Sequence, residues 1–335
     1  MENESGKFHN EGFVSGIAVQ TEKIAFRADE MIACAKCGKQ NPPNRASCIY
    51  CGTPIELPED RRLQAKLNLR SLENWEKGFN IVFVPPVGEP DAAAISSYLS
   101  IDPEVLGQMF AATVPFPIAR LESEAEAMIA VQQLEKFRLK TAIVSDGSLQ
   151  ADRAPTRLRG MEFRDGSIVV TAFNTGDRKE IGREELVLIV AGAVIESKRE
   201  AVEKRKKKET ELLQETETIS DEKLIDIYVE GDDVGFRIPT KGFDFSCLGA
   251  EKGLLAGTNL DRLLERLATF SATAKMIEEY RTYMNILGRV WEIDRQKDFQ
   301  GLKKTGIGQS GFANVARTNN LMQFTKYSRL QRHLL

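Results

Sequence analysis

Histidine is almost missing from this chain of 335 residues: there are two, His9 and His333, each within ten residues of an end. Imidazole is the side chain that most readily exchanges protons near neutral pH, so this scarcity excludes most chemistry built on a core histidine. Tryptophan also occurs only twice, and aromatic side chains make up 7% of the chain. A long hydrophobic run is lacking too. The longest, Leu186 to Ile195, is about half of the ~20 residues that a membrane-spanning helix needs, and it reads as a buried strand. The opening residues MENESGKFHN have no apolar core behind their charges, so no secretory signal is expected and a cytoplasmic location is the default.

What is present is ordinary for a folded chain: 42% hydrophobic residues, 28% charged, and a formal net charge of -3. That length and balance fit two or three small domains and argue against a fibrous or wholly disordered chain. Cysteine is where the sequence becomes specific. Four of the five lie in one segment, as Cys34-Ala-Lys-Cys37 and Cys48-Ile-Tyr-Cys51, with ten residues between the pairs. In a reducing compartment such pairs favour a metal over disulfides. Each C-x-x-C turns two thiolates toward one ion, and two such knuckles complete tetrahedral S4 coordination with no position left for water or substrate. One structural zinc ion is therefore expected on Cys34, Cys37, Cys48 and Cys51. Gly38 and Gly52, directly after each pair, suit the tight turn a knuckle needs.

With Asn41 the pattern becomes C-x2-C-x3-N-x6-C-x2-C, which resembles the Ran-binding-protein type of zinc finger and the wider zinc-ribbon class. The resemblance covers Ile32 to Pro54. It implies binding of single-stranded RNA or ubiquitin through side chains beside the knuckles, and Arg45 and Tyr50 are the candidate contacts here. The tryptophan usual before the first cysteine is replaced by Met31-Ile32. Asn41 is expected to brace the loop.

The remaining organisation reads as α+β and multidomain. Residues 1–30 are expected to form a flexible arm, 31–55 the finger and 56–78 a charged linker, with Trp75 anchoring the linker on the next domain. Residues 79–148 read as a compact α/β sandwich of order β-α-α-α-β. Its strands are Asn80–Val84 and Lys140–Val144, and its helices open at Pro90-Asp91, Asp102-Pro103 and Ser123. Val114-Pro115, Ile118, Glu124 to Ala127 and Leu134-Glu135 within it look like the C-terminal domain of the bacterial ribosomal stalk protein, a shape shared with the Clp protease adaptor. That resemblance implies a small docking domain without a reaction centre. Residues 155–293 are expected to be a strand-rich antiparallel domain, pleckstrin-homology-like in element order. Asp165-Gly166 and Asn174 to Asp177 supply its turns, and helices follow over 259–270 and 277–291. A charged insertion at 196–223, basic at Lys204 to Lys208 and then acidic, is expected to be a mobile loop or projecting helix pair, because like charges in blocks repel. Residues 294–335 read as a basic flexible tail, which has no acidic residue from Phe299 onward and ends in a short amphipathic helix.

No active site emerges. Cys247 has no histidine to activate it and reads as an inward strand residue. The match Gly306, Gly308, Gly311 to G-x-G-x-x-G lacks the strand before it and the helix after it that a dinucleotide site requires. The expected function is therefore a non-enzymatic zinc-binding adaptor or scaffold with protein partners. The alternative is RNA or another acidic surface met by Arg45, Tyr50 and the tail residues Lys303, Lys304, Arg317, Lys326, Arg329 and Arg332. An enzyme of unknown class comes third.

Overall fold

The computed structural model describes residues 31–335 except 44, 46, 56–68, 70–71, 86–87, 206–209 and 307–308. The expected flexible arm, most of the charged linker and the centre of the basic run at 204–208 thus lie outside the described residues. The finger contributes a short antiparallel pair, β1 (Ile32–Ala33) and β2 (Gln40–Asn41). Next comes an α/β unit: β3 (Phe79–Phe83), α1 (Ala92–Leu99), α2 (Pro103–Phe110), β4 (Phe116–Leu121), α3 (Glu124–Lys136), β5 (Thr141–Ser145) and the single turn α4 (Asp146–Leu149). Local chemistry sets the helix starts. Asp91 accepts from Ala94 N–H at 3.0 Å and Asp102 from Glu104 N–H at 2.9 Å, with Pro103 in the first turn, while Ser123 accepts from Glu126 N–H at 3.3 Å. Each cap satisfies donors that a helix N-terminus leaves open.

The unit is β-α-α-β-α-β, one strand richer than β-α-α-α-β. The extra strand β4 carries Pro115 just before it and Pro117 within it, residues that read against a strand because proline cannot donate to a ladder. It is tolerated because β4 is an edge of the sheet, whose order is β4-β3-β5, and because the β3–β4 register slips between Ile81 and Val82.

A second, nine-stranded sheet follows. Its strands are β6 (Thr156–Phe163), β7 (Ser167–Ala172), β8 (Arg178–Gly182), β9 (Leu186–Arg205), β10 (Thr210–Val229), β11 (Phe236–Pro239), β12 (Lys275–Ile277), β13 (Asp294–Gly306) and β14 (Gln309–Asn319). The path is β13-β14-β9-β10-β11-β6-β7-β8, with β12 parallel to β9. Helices α5 (Ala256–Phe270), α6 (Tyr280–Leu287) and α7 (Leu321–His333) complete the chain. Leu260, Leu263 and Leu267 of α5 are buried against the inner face of β6, β7 and β10. Cys247, expected as an inward strand residue, instead lies in a 3-10 segment, Phe245–Glu251. The helix expected from Ile277 begins at Tyr280, Ile277 belonging to β12.

Two larger departures concern charge. The insertion 196–223 is neither loop nor helix pair: it is the distal half of the β9–β10 hairpin. Among the described residues the basic side chains of β9 face the acidic strand β10: Arg199 pairs with Glu215, Ser197 donates to Glu217 at 2.9 Å, and Lys204 stands opposite Glu211. Opposite charges directly across a ladder stabilise it, whereas the same blocks read along one strand suggest repulsion. Residues 294–335 are likewise no flexible tail. β13 and β14 form a hairpin that pairs with distal β9 over Glu196 to Glu203, and α7 enters the core. Gly311 serves close approach, since a Cβ on it would lie 2.7 Å from the Glu203 carbonyl oxygen.

Helix α7 has nine consecutive buried residues, Gln323 to Gln331, so its polar faces are covered as well as its apolar one. Phe324, Tyr327 and Leu330 join one apolar core containing Ile81, Phe83 and Phe116 of the α/β unit together with Leu188, Val190 and Tyr228 of the large sheet. Gly192 of β9 admits the helix: a Cβ there would sit 2.1 Å from the Phe324 ring. Trp75, expected to anchor the linker, is 79% exposed, whereas Leu72 is buried.

Polar side chains link these parts in a continuous chain. Asn80 of β3 donates to Asp146 at 3.0 Å and accepts from the Trp291 indole N–H at 2.8 Å. Gln323 donates to the Trp291 carbonyl at 2.9 Å and accepts from the Tyr280 hydroxyl at 2.9 Å, and Asn320 donates to that hydroxyl at 2.9 Å. Asp146 also accepts from Gly78 N–H and Arg120 Nε, each at 2.9 Å. Lys326, 4% exposed, is less well served. Its Nζ lies 3.9 Å from Asp146 and has no hydrogen-bond partner among the described residues.

Burial, opposed by Asp146 and reinforced by Arg120, lowers the Lys326 amine from 10.5 to about 8. A base whose folded value is depressed disfavours folding while protonated, so this penalty is in force below pH 8 and is relieved between pH 8 and 10.5. At 1.36 kcal/mol per unit this corresponds to about 3 kcal/mol. Lys326→Met should therefore raise stability at pH 7 by about 1–3 kcal/mol and flatten the rise above pH 8, both read by urea unfolding across pH. A variant less stable than the wild type at pH 7 refutes the assignment.

Candidate metal centre

The two knuckles are built alike. Gly38 N–H donates to the Cys34 carbonyl at 2.8 Å and Gly52 N–H to that of Cys48 at 2.9 Å. Cys34 N–H reaches the Lys39 carbonyl at 3.0 Å and Cys48 N–H that of Thr53 at 2.8 Å. Both glycines have φ near +70°, the left-handed conformation that closes such a turn. The repeated C-x-x-C-G therefore produces one local structure twice, and the loop between the copies sets them face to face.

The four Sγ atoms all lie within 4.8 Å of one another. Cys34 and Cys51 approach to 3.6 Å across the knuckles, as do Cys37 and Cys48. Thiolates bound at ~2.3 Å to a tetrahedral ion stand roughly 3.8 Å apart, so the donor set could hold a metal ion of the zinc kind. Cys34 and Cys48 are buried beside Ile55, with Ile32 packed against them, while Cys37 and Cys51 face solvent.

Electrostatics favours the thiolate at Cys48 and Cys51 and opposes it at Cys37. Burial pushes Cys48 upward, but the backbone N–H groups of Tyr50 and Cys51 and the Asn41 side chain outweigh it and bring the thiol down to about 6. The Thr53 hydroxyl and N–H lower Cys51. Cys37 has help from the Lys39 N–H, yet burial and the three neighbouring cysteines push it to about 12. Several thiolates so close together repel, and a bound cation is what lets all four ionise.

Asn41, wholly buried, accepts from Ile49 N–H at 2.9 Å and donates to the Lys39 carbonyl at 2.8 Å. It thus ties the loop after the first knuckle to the tip of the second. The finger rests on the α/β unit through Ser47, which donates to Glu126 of α3 at 3.4 Å. Glu126 is 1% exposed, and burial raises its carboxyl above the usual range against the pull of Ser123 and Ser47. Sequence reading missed this contact, because a glutamate in a helix first turn looks like a solvated dipole partner.

Comparison with protein-family models, curated proteins and solved structures returned no match. Among the described residues no helix is long and apolar enough to cross a membrane.

The other candidate residues are scattered. Tyr50 is exposed, with the Lys39 amine 4.5 Å above its ring, and Arg45 is half-buried on the same finger. Lys303 and Lys304 are exposed on β13, where Lys303 pairs with Glu200, and Arg317 of β14 pairs with Asp298 at 3.4 Å. Lys326 and Arg329 are buried and are withdrawn as contacts to nucleic acid or to an acidic surface. Arg329 donates to the Gln150 and Arg153 carbonyls at 3.2 and 3.0 Å. Arg332 is committed to Asp233 at 3.4 Å and to the Asp232 carbonyl at 3.3 Å. Cys247 is half-buried, and burial raises its thiol, the opposite of nucleophile activation.

Asn41→Ala removes the acceptor of the part-buried Ile49 N–H, at a cost of about 0.5–1.5 kcal/mol to the finger. Metal affinity should fall about 10–100-fold in chelator competition, as outer-shell changes do. Unchanged affinity, with unchanged hydrogen exchange at Ile49, removes Asn41 from this role.

Proposed function

We propose that the chain is a non-enzymatic adaptor in which one structural zinc ion, held by Cys34, Cys37, Cys48 and Cys51, shapes a protein-binding surface. The observation that carries this reading is the display of Ile49 and Tyr50 between two of those cysteines. They are 57% and 56% exposed at the apex of the second knuckle, in a segment with almost no apolar core of its own. Exposed apolar residues on a rigid turn suit recognition, since little conformational freedom is lost on binding. A set of four protein thiolates fills the coordination sphere, so the ion supports structure rather than turnover. The α/β unit is read as a docking module of the stalk-domain kind, and the finger as one of the Ran-binding-protein or ribbon kind.

RNA binding is the second reading, and the stacking of Lys39 on Tyr50 favours it, because a cation and an aromatic face together suit an unpaired base. The two readings separate in one experiment. Pure protein should hold one equivalent of zinc by elemental analysis, and Cys48→Ser should lose it and open residues 31–55 to protease. Affinity capture with the full chain should retain the same proteins after RNase treatment, and Tyr50→Ala and Cys48→Ser should each lose them. Partners that vanish with RNase support the RNA reading, and absence of zinc overturns both.

A further inference from the structure

A cavity of about 250 Å³ lies where three parts of the chain meet: linker residues 74–77, the turn α4 with the residues that follow it, and helix α7. Trp75, Gly147, Ala151 and Met322 line it together with Asp146 and Lys326. Its walls are held from behind. Arg120 donates to the Leu72 carbonyl at 2.9 Å and to the Glu76 carbonyl, which fixes the linker, and Arg329 fixes residues 150–153 through the Gln150 and Arg153 carbonyls. The cavity is thus pre-formed, as small-molecule sites usually are, and it is smaller than the ~300–1,000 Å³ that drug-sized ligands fill.

Two of the lining side chains have surroundings that do not match their chemistry. The Lys326 side chain is 5% exposed, and its Nζ has no hydrogen-bond partner among the described residues. Asp146, 3.9 Å away, is already committed: one carboxylate oxygen accepts from Gly78 N–H and from Arg120 Nε and Nη2, the other from Asn80. Arg120 therefore neutralises Asp146, and the lysine charge has no counterion of its own. A buried ammonium in that position is costly unless an anion meets it. Trp75 is the converse, a large apolar ring left 79% exposed on the same cavity.

We propose that this cavity binds a small aromatic carboxylate, whose carboxylate accepts from Lys326 Nζ and whose ring lies against Trp75. The other charges near the amine are occupied or face water. Asp294 accepts from Asn74 at 2.6 Å and Glu76 from Glu73 N–H at 2.8 Å, while Lys77 and Asp152 are exposed. A phosphate fits less well, because its second charge would stand among Glu76, Asp146 and Asp152. Met322 lies one turn before Lys326 on α7, and its flexible thioether can yield as the ligand reaches the amine. The proposal does not depend on the adaptor reading or on zinc.

The test is calorimetric titration of the full-length protein with benzoate, and with benzamide as the uncharged control. Benzoate should bind with a Kd of about 1 mM or tighter, and benzamide at least tenfold more weakly. Lys326→Met should weaken benzoate at least tenfold, and Trp75→Ala, at an exposed position, by roughly three- to tenfold. Benzoate needs the protonated amine, whose value is about 8, so its affinity should be flat below that pH and fall by up to tenfold per unit above it. Benzoate should also raise the urea midpoint of the wild type and leave that of Lys326→Met unchanged. The Trp75→Ala and pH measurements stand by themselves if Lys326→Met alters folding. No binding of benzoate, equal binding of benzamide, either variant binding like the wild type, or an affinity that does not fall above pH 8 overturns the proposal.

Discussion

A helix buried on every side must find hydrogen-bond partners in whatever covers it, and helix α7 imposes that demand on both sheets at once. Ser328 meets the Tyr228 hydroxyl of β10 at 2.7 Å, Thr325 accepts from Arg237 of β11 at 3.1 Å, and Gln331 donates to the Pro115 carbonyl before β4 at 2.8 Å. The α/β unit and the large sheet are therefore not beads on a linker. They share one core, with α7 as its centre. The apolar gain comes from Phe324, Tyr327 and Leu330, each 0% exposed, whose burial contributes about 1.5–3 kcal/mol apiece. Against it stand Lys326 Nζ, Tyr327 OH, Arg329 Nε and Gln331 Oε1, which lack hydrogen-bond partners among the described residues. Stability at this centre is the difference between good packing and incomplete polar satisfaction.

That difference explains which parts of the fold were legible in the sequence. Local rules worked where the answer is local: Asp91, Asp102 and Ser123 cap the helices they precede, and Gly166 and Gly176 take positive φ in the turns between β6, β7 and β8. The cysteine spacing worked for the same reason, because each knuckle closes within six residues. Reading failed where the partner is remote. Polarity from Phe299 onward looks like solvation, yet Ser328 finds its partner a hundred residues back and Gln331 more than two hundred. The charge blocks of 196–223 failed similarly: along the chain they repel, across the hairpin they pair.

The same relocation of charge bears on function. With Lys326, Arg329 and Arg332 drawn inward or paired, the cationic character of the C-terminal region is no longer a free tail. Exposed on β13 are Arg295, Lys297, Lys303 and Lys304, and β14 separates that strand from Lys204 on β9. The metal centre is separate in its construction. It has its own small cluster of Cys34, Cys48 and Ile55, and its contact with α3 runs through Ser47 and Glu126.

Strand pairing also accounts for why the C-terminal region folds back at all. Strand β9 begins as LVLIVAGAVI between the cores and continues as ESKREAVEKR beyond them. Once past the core, its edge opposite β10 presents backbone groups that need a partner, and an uncovered edge invites wrong ones. Strand β14 covers it up to the pair Asn319 and Glu196. There the chain must leave the ladder to begin α7, and the next groups on β9 lose their strand partner. Asn320 replaces it: its side chain accepts from Ile195 N–H at 2.7 Å and donates to the Ala193 carbonyl at 3.1 Å. One amide thus continues the ladder for a further step while its own backbone turns into the helix. The β13–β14 hairpin and the buried helix are joined at this residue, so covering the exposed half of β9 and closing the core are consecutive steps of one chain path.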